Sequence, residues 1–194
     1  DTDGFEVITV VQTRIKIYKK EGYNWANQEV NYYLDNSYNE NVSFSDAYTY
    51  NLVNGKIEKT KLKSDGEFTE KINKYWGRKK ITMPNVKEGS VIEYEYSIKT
   101  RLIGSLRDWY FQSSIPVNYS EYITYIPEYF EYNSNQKGYV LLETAVEKIN
   151  RKINYVNVRD YKDGTPPTRS NEELNFIEKK TTYSIKNLPA MKEE

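Results

Sequence analysis

The feature of this sequence that most constrains its fold is a two-residue alternation of apolar and polar side chains. The alternation is clearest between Ser90 and Thr100, where apolar or aromatic residues fill every second position: Ile92, Tyr94, Tyr96 and Ile98. Polar residues fill the positions between them. Because successive side chains of a strand point to opposite faces, this pattern predicts a strand with one buried and one solvated face.

Similar alternation recurs along most of the chain and predicts further strands at 6–18, 29–34, 47–53, 56–62, 80–83, 109–115, 119–126, 152–159 and 179–186. Asn54 and Gly55 separate two of these segments. This dipeptide predicts a tight hairpin, because a type I′ turn needs positive φ at both central residues. The segment 140–149 is the exception. Its apolar positions 141, 142, 145, 146 and 149 fit a helix better than a strand, so a short helix there stays open.

Many short strands with few helical segments predict an all-β fold, an antiparallel β-sandwich with at most one or two short helices. The sequence shows no composition shift, so a single domain is expected over 1–194. The 20 Tyr residues suit a pleated, half-buried surface. They also argue against disorder, although the mean hydropathy is −0.85. A chain of 194 residues can bury a core without a metal or a disulfide.

Composition excludes several classes of function. Lys and Arg number 28 and Asp and Glu number 28, which argues against a nucleic-acid binder and a polybasic membrane-surface module. Cys and His are both absent, which excludes thiol nucleophiles, Ser-His-Asp triads, the usual zinc sites and His-ligated haem. No glycine-rich phosphate loop occurs. We therefore predict no catalytic residue, no cofactor and no metal in this chain.

Carboxylates offer two candidate sites, and each has a simpler explanation. Glu93 and Glu95 share a strand face about 7 Å apart, near the separation that glycosidases use. A solvated strand face is the preferred interpretation, because a general acid needs an apolar cleft to raise its pKa. Two segments imitate part of a calcium loop: Asp160, Asp163 and Gly164, and Asp1, Asp3 and Gly4. Neither completes the ligand spacing, so ordinary loops are preferred.

The three Trp residues are candidates for stacking on sugar rings. Trp109 lies among apolar residues, which favours a core position. Trp25 and Trp76 lie beside Asn, Gly and Lys, and they are the candidate ligand-contacting aromatics of this chain.

One block of sequence resembles a known family. Residues 82–96 read Thr-Met-Pro-Asn-Val-Lys-Glu-Gly-Ser-Val-Ile-Glu-Tyr-Glu-Tyr, followed by Asp-Trp-Tyr-Phe-Gln at 108–112 and Ile-Pro-Val-Asn-Tyr-Ser-Glu-Tyr at 115–122. In this block and in its opening strands, the chain resembles the uncharacterised domain found N-terminal to transglutaminase-like cores in exported proteins of Gram-negative bacteria. The likeness covers nearly the whole chain, and the residues that carry it lie outside 133–175.

The resemblance implies a β-sandwich that precedes a transglutaminase-like (papain-like) domain expected after 194, located in the periplasm or cell envelope. The chain starts at Asp1, and we expect a signal segment to have been removed. No apolar run reaches the ~20 residues of a transmembrane helix. The transglutaminase-like core works through Cys, His and Asp, so this fragment is not expected to be an enzyme and any catalysis would lie downstream.

Three functions follow as hypotheses. The first is a noncatalytic accessory or interaction domain that positions or shields the downstream catalytic-type domain or its protein substrate. The alternative is a glycan-binding module that uses Trp25 and Trp76. The third is a carboxylate-based enzyme that uses Glu93 or Glu95. The partners are accordingly the downstream domain of the same chain, or a protein or glycan substrate.

Overall fold

A computed structural model describes residues 5–34, 39–159, 161 and 166–191. In this part of the chain the strands are β1 (Val7–Lys16), β2 (Asn27–Tyr33), β3 (Asn41–Val53), β4 (Lys56–Lys61), β5 (Glu67–Lys71), β6 (Trp76–Thr82), β7 (Val91–Thr100), β8 (Val117–Pro127), β9 (Glu143–Arg159) and β10 (Thr168–Leu188). Two short 3-10 helices cover Lys20–Ala26 and Ser64–Gly66. The chain divides into two units, 5–104 and the described residues from 105 onward. The all-β prediction is confirmed; the single-domain prediction over 1–194 stays a prediction.

The unit 5–104 is built from two antiparallel sheets. One has the strand order β1-β7-β3-β4 and the other the order β2-β6-β5. Val30 of β2 packs in one cluster with Val42 of β3 and Ile98 of β7, so the two sheets face each other across an apolar core. This is the layered arrangement that the sequence predicts for a sandwich.

The inner face of β7 follows the predicted alternation. Ile92, Tyr94 and Ile98 are buried, and Tyr96 is half-buried against the core cluster. β7 pairs with β1 without interruption, from Val7 opposite Thr100 to Lys16 opposite Val91. Alternation therefore predicted correctly which side of this strand is covered.

The β3–β4 hairpin also agrees with its prediction. Val53 pairs with Lys56, and the two residues between them have positive φ, 50° at Asn54 and 77° at Gly55. Those values are typical of a type I′ turn, whose twist matches that of the flanking strands.

A three-stranded antiparallel sheet with the order β8-β10-β9 forms the second unit. Ser120, Thr181, Ile185 and Leu188 are its buried residues. Trp109 Nε1 donates to Ser120 Oγ over 3.1 Å, and its ring stacks on Tyr122 at 6.2 Å. Trp109 thus packs in a different unit from Tyr94 and Tyr96.

The structure differs from the sequence-based expectations at three elements. The helix considered over 140–149 is absent, because from Glu143 this segment forms β9, whose backbone pairs with β10. The segment 109–115, expected as a strand, is irregular and contributes Trp109 to the sheet instead. The sequence analysis also missed β5, whose five residues are too short and too charged to show an alternation.

Candidate functional site

Trp76, one of the two candidate ligand-contacting aromatics, lies in an exposed group of three rings. It meets Tyr33 edge-on at 5.6 Å, and Tyr33 lies parallel to Tyr75 at 6.4 Å. Trp76 is 42% exposed and Tyr75 49%. The side chain of Asn73 accepts hydrogen bonds from the backbone N–H groups of Tyr75 and Trp76, which fixes the turn that presents both rings.

Trp25 lies elsewhere. It is half-buried in the first 3-10 helix, and its carbonyl accepts a hydrogen bond from Gln28 Nε2. Trp76 pairs with Tyr33, whereas the residue closest to Trp25 in the sheet, Asn27, pairs with Thr82 at the opposite end of β6. Six strand residues correspond to about 20 Å. The fold therefore does not bring Trp25 and Trp76 together into one stacking surface.

A row of ion pairs continues along the sheet from Trp76. Arg78 contacts Glu29 at 2.9 Å and Glu70 at 3.6 Å, and Lys80 contacts the same carboxylates at 3.5 and 3.1 Å. The hydrogen bond with Glu70 is the main cause that raises the pKa of Lys80. These polar groups satisfy one another, so a ligand on this face would compete with existing ion pairs.

Glu93 and Glu95 do not form a catalytic pair. Both lie on the outer face of β7, opposite Tyr94. Glu93 accepts two hydrogen bonds from Arg14, at 3.0 and 2.8 Å, and Glu95 accepts one from Gln12 at 2.8 Å. These contacts support the preferred interpretation of a solvated strand face.

A metal site has no support in the part of the chain that the structure describes, where no cluster of three or more Asp, Glu, His or Cys residues could hold an ion. The residues of the two calcium-like loops, Asp1, Asp3, Gly4, Asp160, Asp163 and Gly164, lie outside the described residues. Across the described ranges, no helix has the length and apolar character needed to cross a bilayer.

The largest feature that the sequence analysis missed is one face of the β8-β10-β9 sheet, which we call the tyrosine face. Its exposed apolar and aromatic members are Tyr119 (52%), Ile123 (36%), Tyr125 (50%), Ile153 (41%) and Tyr155 (37%). The register places them on one side, because Tyr125 lies opposite Lys180, which in turn lies opposite Glu147. Alternation within β8 and β9 was the available signal, but it cannot tell a covered face from an open one.

Carboxylates accept hydrogen bonds from two Tyr hydroxyls of the tyrosine face. Tyr119 donates to Glu121 at 2.7 Å and Tyr155 donates to Glu172 at 2.8 Å. In each case the hydrogen bond to the carboxylate is the main cause that raises the pKa of the Tyr hydroxyl. Hydrogen bonds from Asn157, then Tyr155, lower the pKa of Glu172. Apolar side chains between satisfied polar groups are typical of a contact surface rather than of a reaction centre.

Comparison with known proteins gives one family and one similar structure. Residues 5–192 match the family described as a domain of unknown function with a solved structure, DUF3857. A search of curated proteins found no match. The fold is similar to the crystal structure of a "putative protease" from Parabacteroides distasonis, with a TM-score of 0.60, 11% sequence identity and 97% of this chain covered. The similarity spans 34% of the Parabacteroides chain, so this chain corresponds to about a third of that protein.

Proposed function

Because the chain belongs to the DUF3857 family of domains of unknown function, we propose that it is a noncatalytic accessory domain. In this proposal it positions or shields another domain of the same polypeptide, or that domain's protein substrate. The proposed neighbour is the transglutaminase-like domain that the sequence resemblance implies, and the proposed location is the periplasm or cell envelope. Any catalysis would then belong to the neighbouring domain.

The tyrosine face is the observation that carries this proposal. Five apolar or aromatic side chains between 36% and 52% exposed lie on one side of a single sheet. They form two groups, one on β8 and one on β9, with the Lys180–Glu147 and Arg151–Glu178 ion pairs between them. Exposed apolar surface bordered by polar groups marks interaction sites in folded proteins, and Tyr is enriched in protein interfaces. The hydroxyls of Tyr119 and Tyr155 already have carboxylate partners, so another protein can cover these two rings without leaving their polar groups unsatisfied.

The relationship to a longer protein supports the same proposal. The Parabacteroides structure has this fold within a chain about three times as long. At 11% identity that likeness concerns the fold alone. It is compatible with a domain that works beside further domains, which is the arrangement we propose for this chain.

The test is a calorimetric titration of the purified chain with the remainder of its own polypeptide, expressed separately. The face variant carries Ile123→Ser and Tyr125→Ser. The control carries Ile8→Ser and Val10→Ser, which remove apolar side chains of similar exposure, 56% and 54%, from the other unit. We expect the face variant to lose about tenfold or more in affinity, because truncating buried interface anchors costs more than about 1 kcal/mol. Equal affinity of the two variants, or hydrolase or transferase activity of the chain alone, would contradict the proposal.

Glycan binding is the second candidate, and the observation that favours it is the pair of exposed rings of Trp76 and Tyr75, which both pack against the half-buried Tyr33. Flat aromatic faces stack on the C–H surface of a pyranose ring. If this function holds, a glycan array should give hits that Trp76→Ala abolishes and that Trp25→Ala, the control in the half-buried position, leaves in place. An array without hits would remove this candidate.

A further inference from the structure

The outer edge of β9 is a surface distinct from the tyrosine face. Among the described strands, β9 pairs only with β10, and its 17 residues form a ladder without a register shift. The other edge of such a strand presents backbone N–H and C=O groups that can pair with a further strand. β9 contains no Pro and no bulge, which are two of the devices that keep edge strands from pairing. The charged side chains of β9 therefore determine which strand can pair with its outer edge.

The charge pattern of β9 suits a second copy of itself. In an antiparallel pair of identical strands, several registers place a cation opposite its own copy, as happens when the pair is centred on Lys148, Arg151 or Lys152. Like charges directly opposite each other destabilise a sheet. Centring the pair on Ile149 avoids these clashes and sets Glu147 opposite Arg151 of the second copy, on both sides of the two-fold axis.

Ion pairs between β9 and β10 favour the register centred on Ile149. Lys180 Nζ contacts Glu147 Oε1 at 3.0 Å, and Arg151 Nε contacts Glu178 Oε2 at 2.8 Å. Joining the two copies at Ile149 aligns Lys180, Glu147, the second copy's Arg151 and the second copy's Glu178 in a row of alternating charge. Symmetry produces this row twice. Between the rows, Ile149 meets its own copy.

A register centred on Ile153 also avoids like charges, but it pairs side chains less well. It sets Ile149 opposite Asn157 and Lys148 opposite Val158. The register centred on Ile149 sets Ile153, which is 41% exposed, opposite Ala145 of the second copy. This apolar cross-strand pair contributes to the stability of the joined sheet.

We propose that two copies of this chain pair antiparallel along β9, centred on Ile149, and form a continuous six-stranded sheet. The proposal concerns the edge of the sheet and does not depend on what covers the tyrosine face. A charged edge that serves only to keep β9 unpaired would give a monomer instead.

Disulfide trapping in the native background tests this register, because the chain contains no Cys. Directly opposite residues have Cα atoms about 4.5–5.5 Å apart, within the range that a disulfide needs. Ile149→Cys should therefore form a covalent dimer on mild oxidation. Ile153→Cys is the matched control on the same strand face. In this register it lies eight residues, about 27 Å, from its own copy, and it should stay monomeric on a nonreducing gel.

A mixture of Ala145→Cys and Ile153→Cys chains supplies the second readout. It should give a cross-linked heterodimer that neither variant gives alone. The unmodified protein should sediment at twice the 23.0 kDa chain mass. Sedimentation as a monomer at about 100 μM, with no trapping at Ile149, would overturn the proposal. A specific dimer has a Kd well below that concentration and would be fully formed. Trapping at Ile153 instead of Ile149 would overturn the register.

Discussion

Tyr94 shows how a single side chain links the two sheets of the unit 5–104. Its ring is buried, and its hydroxyl donates to Gln28 Oε1 of the opposite sheet at 2.8 Å. Burial is the main cause that raises the pKa of Tyr94 to about 12, from an ordinary value of 10.0. The folded protein therefore holds this phenol in its protonated form over a pH range where the unfolded chain ionises it.

The raised pKa of Tyr94 predicts a loss of stability at alkaline pH. The stabilising contribution is complete below pH 10.0, the value of the unfolded chain, and it is lost as the pH rises towards the folded value of about 12. One pH unit corresponds to about 1.4 kcal/mol, so the free energy of unfolding should fall by about 2–3 kcal/mol over this interval. Urea unfolding at several pH values between 8 and 12 measures this loss. In Tyr94→Phe, the free energy of unfolding should fall less steeply with pH than in the unmodified protein. The same pH dependence in both proteins would show that Tyr94 is not the cause of the loss.

Thr49 carries a second buried polar group, and its environment is unfavourable. The residue is fully buried in β3, and its Oγ1 finds no hydrogen-bond partner among the described residues. A buried hydroxyl without a partner costs about 1–3 kcal/mol. Thr49→Val replaces that oxygen with a methyl group, so we expect the free energy of unfolding to rise by about 1 kcal/mol. A decrease in a chemical denaturation experiment would mean that the hydroxyl has a partner in solution.

At the scale of the element, the β3–β4 turn depends on backbone conformation rather than on packing. A Cβ atom at Gly55 would meet nothing within 4 Å, but the φ of Gly55 is +77°. Gly55→Ala should therefore cost about 1 kcal/mol from backbone strain alone. Gly104→Ala is the control, because a Cβ atom there also meets nothing and its φ lies outside the left-handed region. Thermal unfolding should separate the two variants, and equal midpoints would contradict a positive-φ turn in solution.

The sequence predicted those elements whose local signal agrees with their tertiary environment. The alternation around Ile92 and the turn at Asn54 and Gly55 are local, and the structure confirms both. The segment 140–149 failed because its apolar spacing fits a helix, whereas pairing with β10 over a long ladder determines its conformation. The tyrosine face was not predicted, for another reason. Alternation shows that a strand has an apolar and a polar face, but it does not show whether other parts of the protein cover the apolar face.

At the scale of the whole molecule, the unit 5–104 has an apolar core of its own. The unit 5–104 has two facing sheets with buried Val30, Val42, Ile81 and Ile98 between them. A unit with its own core can fold by itself. We therefore expect a fragment limited to 5–104 to unfold cooperatively in urea, as followed by near-ultraviolet circular dichroism. A fragment without a cooperative transition would show that this core needs the rest of the chain.

We propose that the chain acts through contacts made by the tyrosine face. Hydroxyl-radical footprinting measures this most directly, because it reports the solvent accessibility of individual aromatic side chains. Tyr119, Tyr125 and Tyr155 should react readily in the isolated chain and become protected in the complete polypeptide, while Tyr18, which is 76% exposed in the other unit, should react equally in both. Equal labelling of all four residues in the two samples would contradict the claim.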